Sequence, residues 1–292
     1  MKIAYERLHR CDFCGRKCYV DRTQACGSCH TGVRARIASY GPHFGEEDPL
    51  RGTHGSGTIF FAWCNLSCQY CQNYDISQRG SGREVEPEEL AKMMLLLQEQ
   101  GCHNINLVSP THVLAPILAA VLIAAEAGLR RPLVWNTGGY ESLPALELLD
   151  GVVDIYMPDM KYASADVGQK HSHVEDYPEV NQAAVKEMHR QVGDLVMDEK
   201  GIALRGLLVR HLVLPKDLAG TAAIARFLAD EISRDTYINV MDQYRPCYRA
   251  MDMPPLDRRI TRSEYREAVQ QALEAGLRRF DKREPRFLHI LG

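Results

Sequence analysis

The sequence predicts an α/β fold with a parallel sheet, preceded by a small cysteine-rich module. From Thr58 onward, short β-branched and aromatic runs alternate with amphipathic helical segments, which gives six βα units. Residues 1–57 show no such alternation and carry five of the ten cysteines. Six units are too few for an eight-stranded barrel, so an open doubly wound sheet or a partial barrel remains. Both bind ligands at the carboxyl ends of their strands. We therefore expect two parts, residues 1–57 and residues 58–292.

Each strand of the predicted sheet is a short apolar run that is followed by a helix. The first run, TIFFAW, combines β-branched and aromatic residues, as buried strands commonly do. The strands are predicted at 58–63, 104–108, 133–135, 152–157, 205–214 and 236–241, with a further short strand near 287–291.

The predicted helices have apolar stripes and recognisable ends. Pro87 suits the first helical position, and Glu88 and Glu89 suit the positive end of the helix dipole. Thr261 begins the last helix, and Glu264 three residues later completes a capping box. The helices are predicted at 87–100, 113–127, 143–149, 179–197, 218–232 and 261–276.

Composition and charge argue against several classes of protein. The 292 residues carry a net charge of -3, which argues against a basic nucleic-acid or membrane-binding surface. The start, MKIAYERLHR, lacks the apolar run of a signal peptide. The longest apolar stretch, 113–125, contains Pro116 and is too short to span a bilayer. We therefore expect a cytoplasmic protein without a membrane segment.

The cysteines are concentrated near the start of the chain. Eight of the ten lie between Cys11 and Cys71. A disulfide framework would require an oxidising compartment and usually a much smaller chain. Clustered cysteines in a cytoplasmic protein indicate metal or redox chemistry instead.

Three cysteines stand directly after the first predicted strand. Cys64, Cys68 and Cys71 form the motif CNLSCQYC, with CxxxCxxC spacing. Three thiolates on one loop can hold three irons of a [4Fe-4S] cluster and leave the fourth iron open to chelate a substrate. Zinc is the alternative, but structural zinc would need a fourth ligand from elsewhere.

This motif resembles the signature of the radical S-adenosylmethionine (SAM) superfamily, and Tyr70 matches the aromatic residue before its third cysteine. The stretches GSGTIFFAWCNLSCQYCQNYDIS, RHLVLPKDLAG and YINVMDQYRPCY resemble putative pyruvate formate-lyase activating enzymes. The resemblance implies a partial (β/α)6 barrel in which the open iron binds the amino and carboxylate groups of SAM. It also implies that an electron from the cluster cleaves SAM to a 5′-deoxyadenosyl radical, which takes a hydrogen atom from the substrate.

The resemblance further implies where SAM is bound. Many members end their second strand in GGE, whose groups meet the SAM amino group. This chain has LVSPTHV there, so Ser109, Thr111 or His112 would have to substitute. After the third strand, Asn136 and Gly138 belong to NTGG, where glycine lets the backbone approach a ligand closely. An ordinary turn is the alternative.

The fourth strand is followed by Asp159-Met160-Lys161, which matches the Asp-x-Lys of glycyl-radical activases. The match implies that Lys161 meets the SAM carboxylate and that Asp159 helps to form a monovalent-cation site. A solvated surface pair is the alternative.

The last two strands supply the remaining candidate contacts. Arg210 interrupts an apolar strand, where a charge is costly unless it is paired, so it is a candidate contact for the SAM carboxylate or ribose. Its neighbour His211 is expected to face outward. Gln243 and Tyr244, after the sixth strand, are the expected neighbours of the adenine.

A second cysteine group lies in the first 30 residues and indicates another metal site. The spacing favours two CxxC pairs, whereas related sequences suggest Cys11, Cys14, Cys18 and Cys26. Zinc would stabilise a module that lacks its own core, and a second [4Fe-4S] cluster could relay electrons or hold substrate. The site would use four of five cysteines, namely Cys11, Cys14, Cys18, Cys26 and Cys29.

Other polar and sulfur groups have simpler expectations. Cys102 and Cys247 are expected to be buried thiols. The polar segment 163–177 is long for a connection, and such segments are often lids or disordered. His171 and His173 within it are expected to be solvated, and a contact with the substrate is the alternative.

The sequence therefore predicts a radical SAM enzyme in a reducing, oxygen-poor setting. Its substrate would be a glycyl-radical enzyme partner or, alternatively, a small molecule, peptide or RNA. Its electron would come from a reductant such as a flavodoxin or ferredoxin. A non-enzymatic iron-sulfur or zinc protein is a further alternative, but it would give Asp159, Lys161 and Arg210 no shared purpose.

Overall fold

A computed structural model describes residues 1–281 of the chain, in which ten strands form one sheet. Their order is β10-β9-β8-β6-β5-β4-β2-β1-β3, and β7 pairs with β8. The strands are β1 Ala35–His43, β2 Ser56–Phe61, β3 Arg83–Val85, β4 Ile105–Val108, β5 Leu133–Thr137, β6 Ile155–Pro158, β7 Val196–Met197, β8 Ala203–Leu212, β9 Tyr237–Met241 and β10 Arg279–Phe280.

The helices follow the strands along the chain and pack against the sheet through one large apolar core. No helix among residues 1–281 is both long and apolar enough to cross a membrane. The α-helices are α1 Lys2–Glu6, α2 Asp48–Arg51, α3 Tyr74–Ser77, α4 Pro87–Glu99, α5 Leu114–Glu126, α6 Leu143–Glu147, α7 Ala165–Ser172, α8 Tyr177–Val192, α9 Thr221–Phe227 and α10 Arg262–Glu274.

The six predicted strands form the parallel centre of the sheet. β2, β4, β5, β6, β8 and β9 pair in parallel in that order, which confirms the predicted α/β fold and the partial barrel. The capping box at Thr261 is also confirmed, with both of its hydrogen bonds formed. The strand predicted near 287–291 lies outside the described residues.

Three predicted elements differ from the structure. The helix predicted at 179–197 ends at Val192, because Gly193 adopts a positive φ of 72° and the chain then forms β7. The segment 163–177, expected to be a lid or disordered, contains α7. The helix predicted at 218–232 begins only at Thr221 and finishes in a π-helical turn.

The first 57 residues join the sheet of the barrel. β1 pairs antiparallel with β2, and β3 pairs antiparallel with β1. Leu8 and Phe13 belong to the same core as the sheet and its helices. The boundary at residue 57 stays a prediction, and the sheet runs across it.

The interior of the barrel is arranged in two layers. The lower layer, farther from the carboxyl ends of the strands, is a separate apolar cluster. It contains Val134, Leu208 and Tyr237, together with Leu50 from α2. Two residues further along the same strands are Asn136, Arg210 and Asn239, which therefore point the same way. The barrel is thus apolar below and polar towards the carboxyl ends of its strands, where a ligand site is expected.

Candidate active site

A cavity of about 420 Å³ opens at the carboxyl ends of the parallel strands. It is lined by both charged side chains and cysteines, so a ligand there would meet polar and sulfur groups together. The lining residues are His43, Gly45, Glu46, Glu47, Phe60, Cys64, Leu66, Cys68, Cys71, Gln72, Asn73, Ser77, Gln78, Val108, Ser109, Asn136, Thr137, Gly138, Asp159, Lys161, Arg210, Asn239, Met241 and Gln243.

The three motif cysteines all line this cavity and none of them is in a disulfide. Each sulfur has a hydrogen-bond partner of its own. The amide of Leu66 donates to Cys64 Sγ (3.4 Å), the Ser172 hydroxyl donates to Cys68 Sγ (3.0 Å), and Ser77 Oγ lies 3.1 Å from Cys71 Sγ. Hydrogen bonds of this kind are what clusters held by thiolates use to stabilise sulfur charge.

Burial makes the thiols of Cys64 and Cys71 poor acids in the absence of a bound cation. Burial raises the pKa of Cys64 to about 12, and the neighbouring Cys68 acts in the same direction. A bound metal would supply the positive charge that keeps such a sulfur deprotonated. Among residues 1–281, no three His, Cys, Asp or Glu side chains converge on the position of one metal ion. A [4Fe-4S] cluster places its ligands on different irons, so three cysteines around one cavity fit that group.

Hydrogen bonds from two other parts of the chain hold the cysteine loop, residues 64–71, in place. From the N-terminal segment, Arg16 Nε donates to the carbonyl of Asn65 (2.6 Å). From the far side, the Gln69 amide donates to the carbonyl of His171 (2.8 Å), and the Gln69 side chain lies 2.9 Å from His173 Nε2. His171 is buried, contrary to the expectation that it is solvated, whereas His173 is exposed as expected and its ring also contacts Gln69.

Asp159 and Lys161 form an ion pair within the cavity rather than on the surface. Lys161 Nζ lies 2.5 Å from Asp159 Oδ2. Burial on its own lowers the pKa of Lys161, but the charge and hydrogen bond of Asp159, together with Cys68 and Tyr177, raise the pKa above its ordinary value. The pair is held from behind, because the Tyr177 hydroxyl lies 2.9 Å from the carbonyl of Gly138 and 3.0 Å from that of Asp159. A charged ammonium thus faces the cavity.

The backbone beside this ion pair packs closely against neighbouring groups of the chain at two glycines. A Cβ on Gly138 would lie 2.7 Å from Leu66 Cδ1. Gly139 has a φ of 70°, and a Cβ there would meet the Asn181 amide at 2.2 Å. Of the other expected contacts, Ser109, Asn136 and Gln243 line the cavity.

Arg210 lines the cavity but has partners that the sequence analysis did not identify. Its Nε donates to Glu47 Oε1 (2.7 Å), and its Nη2 donates to both Glu46 and Glu47. Asn239 Nδ2 also donates to Glu47 Oε1 (2.6 Å). Although burial raises the pKa of Glu46, Arg210 and His43 bring it down to about 2. The buried charge of Arg210 is therefore balanced within the chain.

Three expected contacts do not line the cavity. The Thr111 hydroxyl donates to the buried Glu141 (2.5 Å), and the Tyr244 hydroxyl donates to the carbonyl of Leu256 (2.6 Å). Tyr70 packs edge-on against Tyr244, with ring centroids 5.9 Å apart. These side chains support the walls of the cavity from outside.

Two other predicted placements are met and two are not. His211 faces outward to the helices, where its ring lies 2.9 Å from Thr221 Oγ1. His112, named above as a possible contact for the SAM amino group, is instead buried against the carbonyl of Ala62 (2.9 Å) and does not line the cavity. Cys102 is fully buried, as expected, whereas Cys247 is only partly buried.

The N-terminal cysteines divide into four that are close together and one that stands apart. A Cβ on Gly27 would lie 3.0 Å from Cys18 Sγ and 3.8 Å from Cys29 Sγ. Burial raises the pKa of Cys14 to about 12, with smaller contributions in the same direction from the nearby thiols of Cys29, Cys11 and Cys18. The fifth cysteine, Cys26, is exposed and lines a separate surface cleft. This grouping differs from both ligand sets that the sequence suggested.

Comparison with known proteins gives a consistent result. A model of the radical SAM superfamily matches residues 58–197, a range that spans the cysteine loop and the Asp159–Lys161 pair. An uncharacterised protein of Methanocaldococcus jannaschii is 33% identical over 285 residues, which covers 93% of this chain and 77% of that protein.

Solved structures share the fold. A radical SAM methyltransferase from Sphaerobacter thermophilus has a TM-score of 0.54 and 16% identity, over 77% of this chain and 67% of that one. Native anSMEcpe with bound AdoMet and Cp18Cys peptide has a TM-score of 0.50 and 9% identity, over 75% of this chain and 60% of that one. The parallel barrel, the CxxxCxxC loop at its mouth and the family match lead to one conclusion: this chain belongs to the radical SAM superfamily.

Proposed function

We propose that Cys64, Cys68 and Cys71 hold a [4Fe-4S] cluster and that SAM binds beside it in the cavity. The observation that carries this proposal is that the three cysteines and the Asp159–Lys161 pair line one 420 Å³ cavity. When bound, the two cofactors supply a 5′-deoxyadenosyl radical that removes a hydrogen atom from the substrate.

The residues around the cavity would bind and orient SAM. The Lys161 ammonium suits the SAM carboxylate, because opposite charges attract strongly in a partly dehydrated site. Gly138 and Asn136 suit a close approach of the ligand to the backbone. Gln243 also lines the cavity. Gln72 Nε2, next to Cys71, donates to the carbonyl of Gln243 (3.2 Å) and so holds Gln243 to the cysteine loop.

Arg210 has a different proposed role from that of the other cavity residues. Its guanidinium already has two carboxylate partners, so we assign it to the floor of the cavity rather than to a primary SAM contact. A monovalent cation at Asp159 stays a prediction, since the Asp159 carboxylate is paired with Lys161.

The substrate that we favour is the backbone glycine of a partner enzyme. The support is the Asp159-x-Lys161 arrangement, which resembles that of glycyl-radical activases and lies in the cavity. A small molecule, a peptide or, less readily, an RNA would be the alternative substrate. The electron would come from a flavodoxin or ferredoxin.

The N-terminal cysteines would hold a second metal, for which we favour zinc. The support is the grouping of Cys11, Cys14, Cys18 and Cys29, which would supply the four thiolates of a zinc site. Within the described residues these thiols do not converge on one point, so a bound zinc would have to draw them together. Arg16 lies in the loop between Cys14 and Cys18 and reaches the carbonyl of Asn65. A metal there would therefore steady the loop that carries the cluster.

The reaction is tested by incubating the anaerobically reconstituted protein with dithionite and SAM and measuring 5′-deoxyadenosine. We expect product from the wild type and none from Cys68→Ala, which removes one cluster ligand. Cys102→Ala is the matched control, because Cys102 is buried away from the cavity and its loss should leave the product intact. No product from wild type with a fully loaded cluster would refute the proposal.

The same preparation distinguishes the substrate classes. Addition of a candidate glycyl-radical protein should give the electron paramagnetic resonance (EPR) doublet of a glycyl radical. If 5′-deoxyadenosine forms but no candidate gives a doublet, the activase assignment fails and the other substrate classes gain support.

A further inference from the structure

We propose that Ser172, oriented by Tyr162, sets the reduction potential of the cluster through a hydrogen bond to Cys68. This inference rests on the proposed function, because it requires Cys68 to be a cluster ligand. It assigns a positioning role to the end of α7, none of whose residues lines the cavity.

The chain of contacts is short and buried. Ser172 Oγ lies 3.0 Å from Cys68 Sγ, and Tyr162 Oη lies 2.7 Å from Ser172 Oγ. The Ser172 side chain is fully buried and Tyr162 is only 2% exposed. Water therefore does not compete for these hydrogen bonds.

The direction of the protons follows from the chemistry of the sulfur. A cysteine that binds iron is a thiolate, which accepts hydrogen bonds and has no proton to give. The single hydroxyl proton of Ser172 must then point at Cys68. Ser172 Oγ is left as an acceptor, so Tyr162 donates to it, and each bond strengthens the other.

The backbone around Ser172 is fixed to the cysteine loop. Ser172 is the last residue of α7, and the next residue, His173, adopts a positive φ of 54°. On either side of Ser172, the carbonyl of His171 accepts from the Gln69 amide, and His173 Nε2 lies 2.9 Å from the Gln69 side chain. Ser172 and Cys68 therefore keep their relative positions.

A hydrogen bond to the sulfur favours the reduced cluster. Reduction adds one electron, and part of the added negative charge resides on the thiolates, so a donor to the sulfur stabilises the reduced state more than the oxidised state. Removal of the Ser172 hydroxyl should therefore make the cluster harder to reduce.

The test is a redox titration of the reconstituted holoenzyme, with dithionite as electron donor and the EPR signal of the reduced cluster as readout. We expect Ser172→Ala to lower the ratio of reduced to oxidised cluster about tenfold at a fixed potential, which is a shift of about 59 mV to more negative values. Ser172→Thr and Ser172→Val form a matched pair, since they have similar shapes and differ in the hydroxyl. Thr should stay near the wild-type potential, and Val should follow Ala.

The proposal is overturned if Ser172→Ala, with four irons bound in the cluster, has the wild-type midpoint potential, or if Thr and Val give the same value. If substitution at Ser172 prevents cluster loading, Tyr162→Phe leaves the serine in place, and an unchanged potential there overturns the proposal. The outcome is separate from the proposed function: 5′-deoxyadenosine formation with an unmoved potential refutes the role of Ser172 alone.

Discussion

The Arg210 guanidinium pairs with the carboxylates of Glu46 and Glu47 inside the barrel, where all three side chains are largely shielded from water. A lone buried carboxylate would be far more costly than this group. We expect Arg210→Met to lower the free energy of unfolding by about 3–5 kcal/mol, because it leaves Glu46 and Glu47 without their cation. Urea unfolding measures the loss.

The matched control for Arg210→Met also removes the two carboxylate charges that the substitution leaves unpaired. The triple variant with Glu46→Gln and Glu47→Gln should recover most of the lost stability. Wild-type stability in Arg210→Met alone would show that the acidic pair does not depend on Arg210, and a role in binding SAM would then regain support.

His112 gives the fold a defined dependence on pH. Burial lowers its pKa to about 4, although the hydrogen bond to the carbonyl of Ala62 opposes the shift. An unfolded histidine titrates near 6.5, so between about pH 6.5 and 4 the unfolded chain binds a proton that the folded chain does not. This residue should therefore cost about 2 kcal/mol of stability on going from pH 7 to pH 5.

The measurement compares the wild type with His112→Gln at both pH values. The glutamine amide can still donate to the carbonyl of Ala62 but does not titrate. Other buried histidines contribute equally to both proteins, so the difference between them isolates His112. Equal losses of stability in the two proteins would contradict the assignment.

Cavity residues are predictable from the sequence where a motif and a strand end coincide. Asp159 and Lys161 follow a predicted strand directly, so their place at the mouth of the barrel could be expected. Glu46 and Glu47 precede the first barrel strand, and nothing in their spacing shows that this loop enters the interior. The available indication was Arg210, since a buried guanidinium requires a carboxylate partner.

At the scale of elements, Arg16 joins the N-terminal segment to the cysteine loop through its hydrogen bond to the carbonyl of Asn65. The proposed zinc ligands exclude Cys26, whereas both ligand sets suggested by the sequence include it. Substitution of Cys26 and of Cys29 therefore tests the proposed set. In a Cys68→Ala background, which removes the cluster, we expect one zinc per chain. Cys29→Ser should release that zinc, and Cys26→Ser should retain it, because Cys26 is exposed and faces another cleft.

Metal analysis of the purified variants provides the test, with Cys26→Ser as the control for the loss of one thiol. Loss of metal from Cys26→Ser, or its retention in Cys29→Ser, would reject the proposed ligand set. Iron with acid-labile sulfide in place of zinc would assign a second cluster.

The order of the elements was predictable because apolar runs of strand length alternate with helical stripes. The residues at which the elements end were less predictable. Gly193 ends α8 early, and a glycine inside a helical pattern does not by itself reveal that the next residues pair with β8. The pairing of β1 with β2 was missed for a similar reason, since contacts that cross a cysteine-rich segment leave no periodic pattern.

At the scale of the molecule, three distant segments meet at the cysteine loop. Arg16 reaches it from the N-terminal segment, Ser172 reaches it from α7, and Arg249 donates its backbone amide to the carbonyl of Gln69 (3.0 Å). The loop is thus held by parts of the chain from both ends of the sequence. This arrangement suits a cluster whose open iron must be presented to SAM in one orientation.

The central claim is that SAM binds the open iron of a cluster held by Cys64, Cys68 and Cys71. Electron–nuclear double resonance tests it most directly, using the reduced cluster and SAM isotopically labelled in its amino and carboxylate groups. Hyperfine coupling from both groups to the cluster is expected. A fully loaded, reduced cluster that shows no coupling from either group at saturating SAM would contradict it.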